Sequence, residues 1–268
     1  MAYTSIDDPE AYFRIKLYTG NGTDDTGIVF DTTDTTMQPD LVWIKNRNST
    51  NEHNLVNSVV GATKYLHSNL AQTETTAANS LQSFDSNGFT IGTNANFNTD
   101  TNTYVAWCWK ESADAGFDIV GYTGNATDDV DISHSFSAVP HVIIVKNRDN
   151  TNNENWVVYH HKNTAAPETD HLYLNLTNAT ADNDEMWSDE APTSSVFTIG
   201  RQDGVNTSSG NHLAFLWSEK QGYSKFGGYT GNGNADGPFI YTGFRPAFII
   251  FKNTSTTKNW EMETNKIL

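Results

Sequence analysis

Leu17-Tyr18-Thr19-Gly20-Asn21-Gly22, followed by Pro39-Asp40-Leu41-Val42-Trp43-Ile44-Lys45-Asn46-Arg47, decides how the chain is read, because the same pattern is written three times. The second occurrence is Gly121-Tyr122-Thr123-Gly124-Asn125 with Pro140-His141-Val142-Ile143-Ile144-Val145-Lys146-Asn147-Arg148. The third is Gly228-Tyr229-Thr230-Gly231-Asn232-Gly233 with Pro246-Ala247-Phe248-Ile249-Ile250-Phe251-Lys252-Asn253. Tyr18 and Tyr122 lie 104 residues apart, and Tyr122 and Tyr229 lie 107 apart. That period is too long for a solenoid blade and fits a small domain. The chain therefore reads as a tandem array, with a first unit over 1–112, a second over 113–222 and the first half of a third over 223–268.

The apolar pattern inside each unit is that of strands. Phe13, Ile15 and Leu17 alternate with Arg14 and Lys16, the period-two mark of a half-buried strand. Thr19-Gly20-Asn21-Gly22 predicts a reversal, since Asn-Gly suits the positive φ of a type I′ turn, with Ile28-Val29-Phe30 as the return strand. Pro39 opens Leu41–Ile44 without breaking a ladder, and four consecutive apolar residues imply that both faces are covered, as in the middle of a sandwich. Strands at Ala62–Leu66, Phe89–Gly92 and Tyr104–Trp109 have counterparts at His171–Leu174, Phe197–Gly200 and Leu213–Trp217. The expected fold is all-β: tandem β-sandwich repeats, jelly-roll or concanavalin-like, of about 105 residues, with very little helix beyond a short one at Ala181–Trp187. The linkers 111–116 and 219–222 are short enough to hold neighbouring units as a stiff rod. Half a sandwich at 223–268 leaves apolar faces and strand edges open.

A net charge of -16 and a pI near 4.7 exclude a basic phosphate-binding surface, so nucleic acid is not an expected partner. Twelve per cent aromatics and seven tryptophans exclude a disordered chain. Cys108 is the one cysteine, which precludes an intrachain disulfide; inside Tyr104–Trp109 it reads as a packing thiol. Met1–Asp8 has neither a basic nor an apolar stretch of the kind a signal peptide needs, and no run is long enough to insert in a membrane. The expectation is a chain made and assembled in a cytoplasm, or leaving it by lysis or a leaderless route.

Carboxylates recur just past each Thr-Gly-Asn turn, at Asp24 and Asp25, at Asp128 and Asp129, and at Asp236. Together with loop carbonyls they are candidate Ca²⁺ ligands, the competing reading being that Asp simply favours turns. No other metal or cofactor is expected: His160-His161 is the only adjacent histidine pair, and neighbours on a strand face opposite ways. Asp182, Asp184, Glu185, Asp189 and Glu190 form acidic runs that could supply a glycosidase carboxylate pair, or merely a solvated loop. No catalytic residue is assigned. The Lys-Asn-Arg strand exits suit either an anion or an internal charge partner. Trp107, Trp109, Trp187, Trp217 and Trp260 are core residues or sugar-stacking platforms.

Pro39–Arg47, Ala62–Leu66, Tyr104–Lys110, Asn155–His160 and Tyr223–Gly233, in that order, resemble a repeat of unknown function found in virion and tail-fibre-like proteins of marine bacteriophages, those of cyanobacteria and pelagic bacteria. The resemblance covers nearly the whole chain. It implies a non-enzymatic virion structural protein, in a tail fibre or on the particle surface, serving assembly or host adhesion. Its implied partners are other virion proteins or copies of itself in a homo-oligomer, and a host-surface glycan. The alternatives are a lectin-like carbohydrate-binding module and a glycan depolymerase.

Overall fold

A computed structural model describes residues 3–31, 35–149 and 154–266; the first two residues of the N-terminal lead and the last two of the third unit lie outside the described residues. The first segment contributes β1 (Phe13–Thr19), β2 (Thr26–Val29), β3 (Leu41–Asn46), β4 (Asn54–Asn57), β5 (Lys64–His67), β6 (Thr75–Thr76), β7 (Leu81–Asp85), β8 (Gly88–Ile91), a one-turn helix α1 (Ala95–Asn98) and β9 (Thr103–Trp109). The second contributes β10 (Phe117–Thr123), β11 (Val130–Ser133), β12 (Val142–Asn147), β13 (Val157–His160), β14 (Asp170–Tyr173), β15 (Ala181–Asp182), α2 (Asp184–Trp187), β16 (Val196–Ile199), α3 (Asp203–Asn206) and β17 (Asn211–Trp217). The third contributes the hairpin β18 (Phe248–Lys252) and β19 (Trp260–Thr264).

Two six-stranded sheets carry the fold, ordered β1-β9-β3-β4-β5-β6 and β10-β17-β12-β13-β14-β15. The two orders are the same. In each, the last long strand inserts between the first and the third, antiparallel to both. A small outer sheet accompanies each: β2-β8-β7 in the first segment and β11-β16 in the second.

Strand alternation explains why the apolar runs are unbroken. In β3, Val42 and Ile44 enter a cluster with Phe89, Ile91 and Phe97 under the small sheet, while Leu41 and Trp43 enter a different cluster on the opposite face. In β12, Ile143 and Val145 likewise pack under β16, and Ile144 joins that same opposite cluster. This central cluster is shared: Trp107 and Trp109 from the first sheet meet Phe117, Trp156 and Phe215 from the second, and Phe248, Ile250, Trp260 and Met262 of the third segment pack against it. The successive units thus face one another across one core. The short linkers do not string them into a rod, because the apolar face that each sheet turns inward is buried only when the sheets oppose.

Two further expectations are corrected. Arg14 is not a solvated residue on a half-buried strand: it is 7% exposed, with its guanidinium donating to the carbonyls of Glu10, Asp31 and Thr35 and lying 5.7 Å from the Phe30 ring centre. Both faces of β1 are covered, so the cation is satisfied internally. Nor does Thr19–Gly22 make a hairpin. β1 pairs with β9 and β2 with β8, so the turn carries the chain from the large sheet to the small one. The short helix expected around Ala181–Trp187 is present only over Asp184–Trp187, as α2; Ala181–Asp182 is the short strand β15.

Candidate functional site

The recurrent Thr-Gly-Asn turn is held by a side chain that the sequence reading did not single out. Asn98, the last residue of α1 and wholly buried, accepts from the Asn21 backbone N–H at 2.8 Å and donates to the carbonyls of Thr23 (2.8 Å) and Gly92 (3.0 Å). Asn206, the last residue of α3 and also wholly buried, repeats this: it accepts from the Asn125 N–H at 2.7 Å and donates to Thr127 (2.7 Å) and Gly200 (2.9 Å). The glycines are required by proximity. A Cβ on Gly20 would sit 2.2 Å from the Thr99 carbonyl oxygen, and one on Gly124 would sit 2.3 Å from that of Thr207. Tyr18 and Tyr122 close the clasp by donating their hydroxyls to the carbonyls of Phe97 (2.9 Å) and Val205 (2.7 Å). The signal for these asparagines was in the chain: Thr90-Ile91-Gly92 and Thr198-Ile199-Gly200 are each followed, after five residues, by Asn-Thr.

The candidate Ca²⁺ ligands Asp24, Asp25, Asp128 and Asp129 lie beside the two clasps, and Asp236 lies apart from them. Asp24 accepts from the Gln82 amide at 3.0 Å; Asp25 and Asp129 are turn residues at φ 55° and 56°. Asp236 lies in an exposed turn, its backbone N–H bonded to Asn234 and its carbonyl to Asn232. Asp128 and Asp129 instead line an open cleft of about 200 Å³ with Asp184, Glu185 and Asp189. Arg201 spans that cleft, 3.6 Å from Asp128 and 2.6 Å from Glu185, so the acidic loops are already met by an internal cation. Among the described residues no group of three or more His, Cys, Asp or Glu side chains is disposed to hold a metal ion.

The lysines of the strand exits act as cross-braces. Lys146 is wholly buried and donates to Glu154 O at 2.5 Å and, across the segment boundary, to Ala71 O at 3.0 Å; burial pulls its pKa down to about 8. Arg148 forms a two-pronged pair with Glu74 of the first segment at 2.8 and 3.0 Å. The indole N–H of Trp156 donates to His67 O at 2.9 Å, and the Glu74 N–H donates to Arg148 O at 2.9 Å. The same bonds join the second segment to the third: Lys252 to Thr177 O at 3.0 Å, the Trp260 indole to Tyr173 O at 2.8 Å, and the Thr180 N–H to Thr254 O at 2.9 Å.

Where the three segments meet, a cleft of about 370 Å³ opens, lined by Trp43 and His53 of the first, Asn175 and Thr177 of the second, and Trp260 and Met262 of the third. The Trp43 indole N–H and His53 Nδ1 have no bonding partner among the described residues. Burial, with Lys45 nearby, depresses the His53 pKa to about 4, so the ring is neutral at ordinary pH. Of the other candidates, Trp107, Trp109 and Trp187 are core residues, and Cys108 is wholly buried with its thiol pKa pushed up by that burial. His160 and His161 lie beside His141, but His160 Nδ1 accepts from the Lys162 N–H, His141 Nδ1 from the Glu219 N–H, and His161 Nε2 meets the Phe226 carbonyl.

Sheets with buried clasps between them define an all-β layered protein. Over residues 8–267 the chain matches the family described as Domain of unknown function (DUF7483), and it belongs to that family. No curated protein and no solved structure matches it. No helix among the described residues is long and apolar enough to cross a membrane.

Proposed function

We propose that the chain is a non-enzymatic structural protein of a bacteriophage particle, carried in a tail fibre or on the particle surface, where tandem repeats serve assembly or attachment to the host. The observation that carries this reading is the use to which the recurring residues are put. Tyr18, Gly20 and Asn21 and their counterparts in the second segment, Tyr122, Gly124 and Asn125, close clasps, and Lys146, Trp156 and Arg148 brace one segment against another. In an enzyme the most distinctive residues of a chain converge on a cavity; here they bond to the chain's own backbone. The resemblance of Pro39–Arg47, Tyr104–Lys110 and Asn155–His160 to marine phage virion repeats supplies the setting. Mass spectrometry of gradient-purified particles from the host that makes this chain is expected to find it in fixed proportion to the other particle proteins. Its absence from the particle fraction would end the proposal.

A lectin-like role is the second reading, favoured by aromatic rings presented to solvent: Tyr229 is 57% exposed and Tyr241 71%. Such rings offer apolar faces to sugars. A glycan array run with and without Ca²⁺ tests it, and blank arrays in both conditions would remove it.

A further inference from the structure

The chain leaves its two large sheets in the same way, and one residue in that arrangement differs in kind. After β9, the Asp40 N–H donates to Trp109 O, the Ser58 N–H to Asp40 O and the Glu111 N–H to the Asp40 carboxylate, each at 2.8 Å. After β17 the same three bonds recur around His141. Its N–H donates to Trp217 O at 2.7 Å, the His161 N–H to His141 O at 2.8 Å, and the Glu219 N–H to His141 Nδ1 at 3.1 Å. An imidazole thus stands where the first linker has a carboxylate. The change is not isolated, for His160 and His161 hold the positions of Asn57 and Ser58 at the end of the strand beside it. His160 Nδ1 also accepts a backbone N–H, that of Lys162 at 3.1 Å, where the Asn57 amide oxygen accepts from Val60 at 3.2 Å. The three rings are neighbours: the centres of His141 and His161 lie 4.3 Å apart, and those of His160 and His161 5.4 Å. Past them runs a strap, residues 219–226, tied at one end by His141 and at the other by His161, whose Nε2 meets Phe226 O at 3.0 Å. The Phe226 ring stacks on His141 with centres 6.2 Å apart.

We propose that His141, His160 and His161 form an acid-released latch, which holds the strap 219–226 to the second segment while the rings are neutral and frees it when they take up protons. A carboxyl oxygen keeps a lone pair whether or not it is ionised, but a ring nitrogen that gains a proton becomes a donor and can no longer accept. Protonation therefore turns the Glu219 and Lys162 N–H groups against the nitrogens that held them, and sets two like charges face to face at the His141–His161 contact. Of the charged groups that face the rings, Lys162 beyond β13 and Lys225 on the strap oppose a positive charge, and Glu219 favours it. Glu219 is already paired with Lys225 at 2.7 Å. Burial lowers all three histidine pKa values, that of His160 to about 4, so the hold is complete at neutral pH and is lost as pH falls below 6.5.

The test is hydrogen exchange of the full chain, read by mass spectrometry at about pH 7.5 and about pH 5 and corrected for the intrinsic pH dependence of exchange. Protection over residues 219–226 is expected to fall about tenfold or more between the two, while protection over 111–117 stays level or rises. His141→Asn keeps an accepting oxygen and takes up no proton. It is expected to melt with the parent at the higher pH and to shrink the acid response of the strap by about threefold or more, and His160→Asn, which copies the first segment, to shrink it as well. Equal protection of the strap at both pH values in the parent would overturn the proposal. So would a loss spread evenly over β12 and β17, which would be acid unfolding of the sheet. An undiminished acid response in His141→Asn also overturns it; where that variant folds poorly, the same reading is taken from His160→Asn.

Discussion

Asn98 and Asn206 are wholly buried polar side chains whose amides are used on every side, so their removal leaves the Gly92 or Gly200 carbonyl without its partner in the interior and frees the turn that the same amide holds. Asn98→Ala is expected to cost about 2–4 kcal/mol in urea unfolding, because the carbonyls of Thr23 and Gly92 and the Asn21 N–H all lose a partner. Glu111 behaves differently. Burial, then the neighbouring Asp118 and Asp40, lift its pKa from 4.5 to about 7. Between those values the folded chain holds a proton that the unfolded chain releases, so stability falls as pH rises through the window. Glu111→Gln is therefore expected to raise the melting temperature at pH 8 and to leave it nearly unchanged at pH 4.5. His53 and His160 have the opposite sign: their pKa values are depressed to about 4, so stability is lost as pH falls from 6.5 toward 4. The Thr-Gly-Asn motif was legible in the chain as something repeated, but not its purpose. Its partner asparagines sit some 80 residues away, and a close backbone approach leaves no mark on a sequence except the glycine itself.

At the scale of elements, the strands were legible because unbroken apolar runs such as Leu41–Ile44 admit only two-sided burial. What covers the second face was not. Arg14 and Lys16 suggested solvent beyond β1, and the structure puts the Arg14 guanidinium among carbonyls there. The Asn-Gly turn suggested a hairpin, a local pairing, when the strand that joins β1 arrives from residues 103–109. Long-range pairing of this kind is fixed by the packing of the whole sheet, beyond the reach of turn chemistry. The braces between segments give a prediction at this scale. Trp156 is wholly buried and Trp260 is half-buried, though both indoles donate to an equivalent carbonyl. Trp156→Ala is expected to cost about 3–5 kcal/mol and Trp260→Ala no more than about half of that, as measured by chemical denaturation.

For the whole molecule, the composition showed an acidic all-β chain, and the sharing of one core was hidden, since Trp107 and Phe215 read alike whether their partners lie in the same unit or the next. Because the central cluster draws on both six-stranded sheets, calorimetry is expected to give one cooperative transition for the first two segments, with calorimetric and van't Hoff enthalpies in agreement. Two separated transitions would show that each sheet keeps a core of its own. The joints between segments also have a direction. Lys146 and Trp156 give, and Ala71 and His67 receive; one segment further on, Lys252 and Trp260 give, and Thr177 and Tyr173 receive. A contact between unlike surfaces is heterologous, and repetition either closes it into a ring or extends it without end. Here every step turns its apolar face to the same centre, so the path curves back on itself. The giving side of the first segment, where His53 holds the place of Trp156, accordingly forms one wall of the cleft beside Trp260.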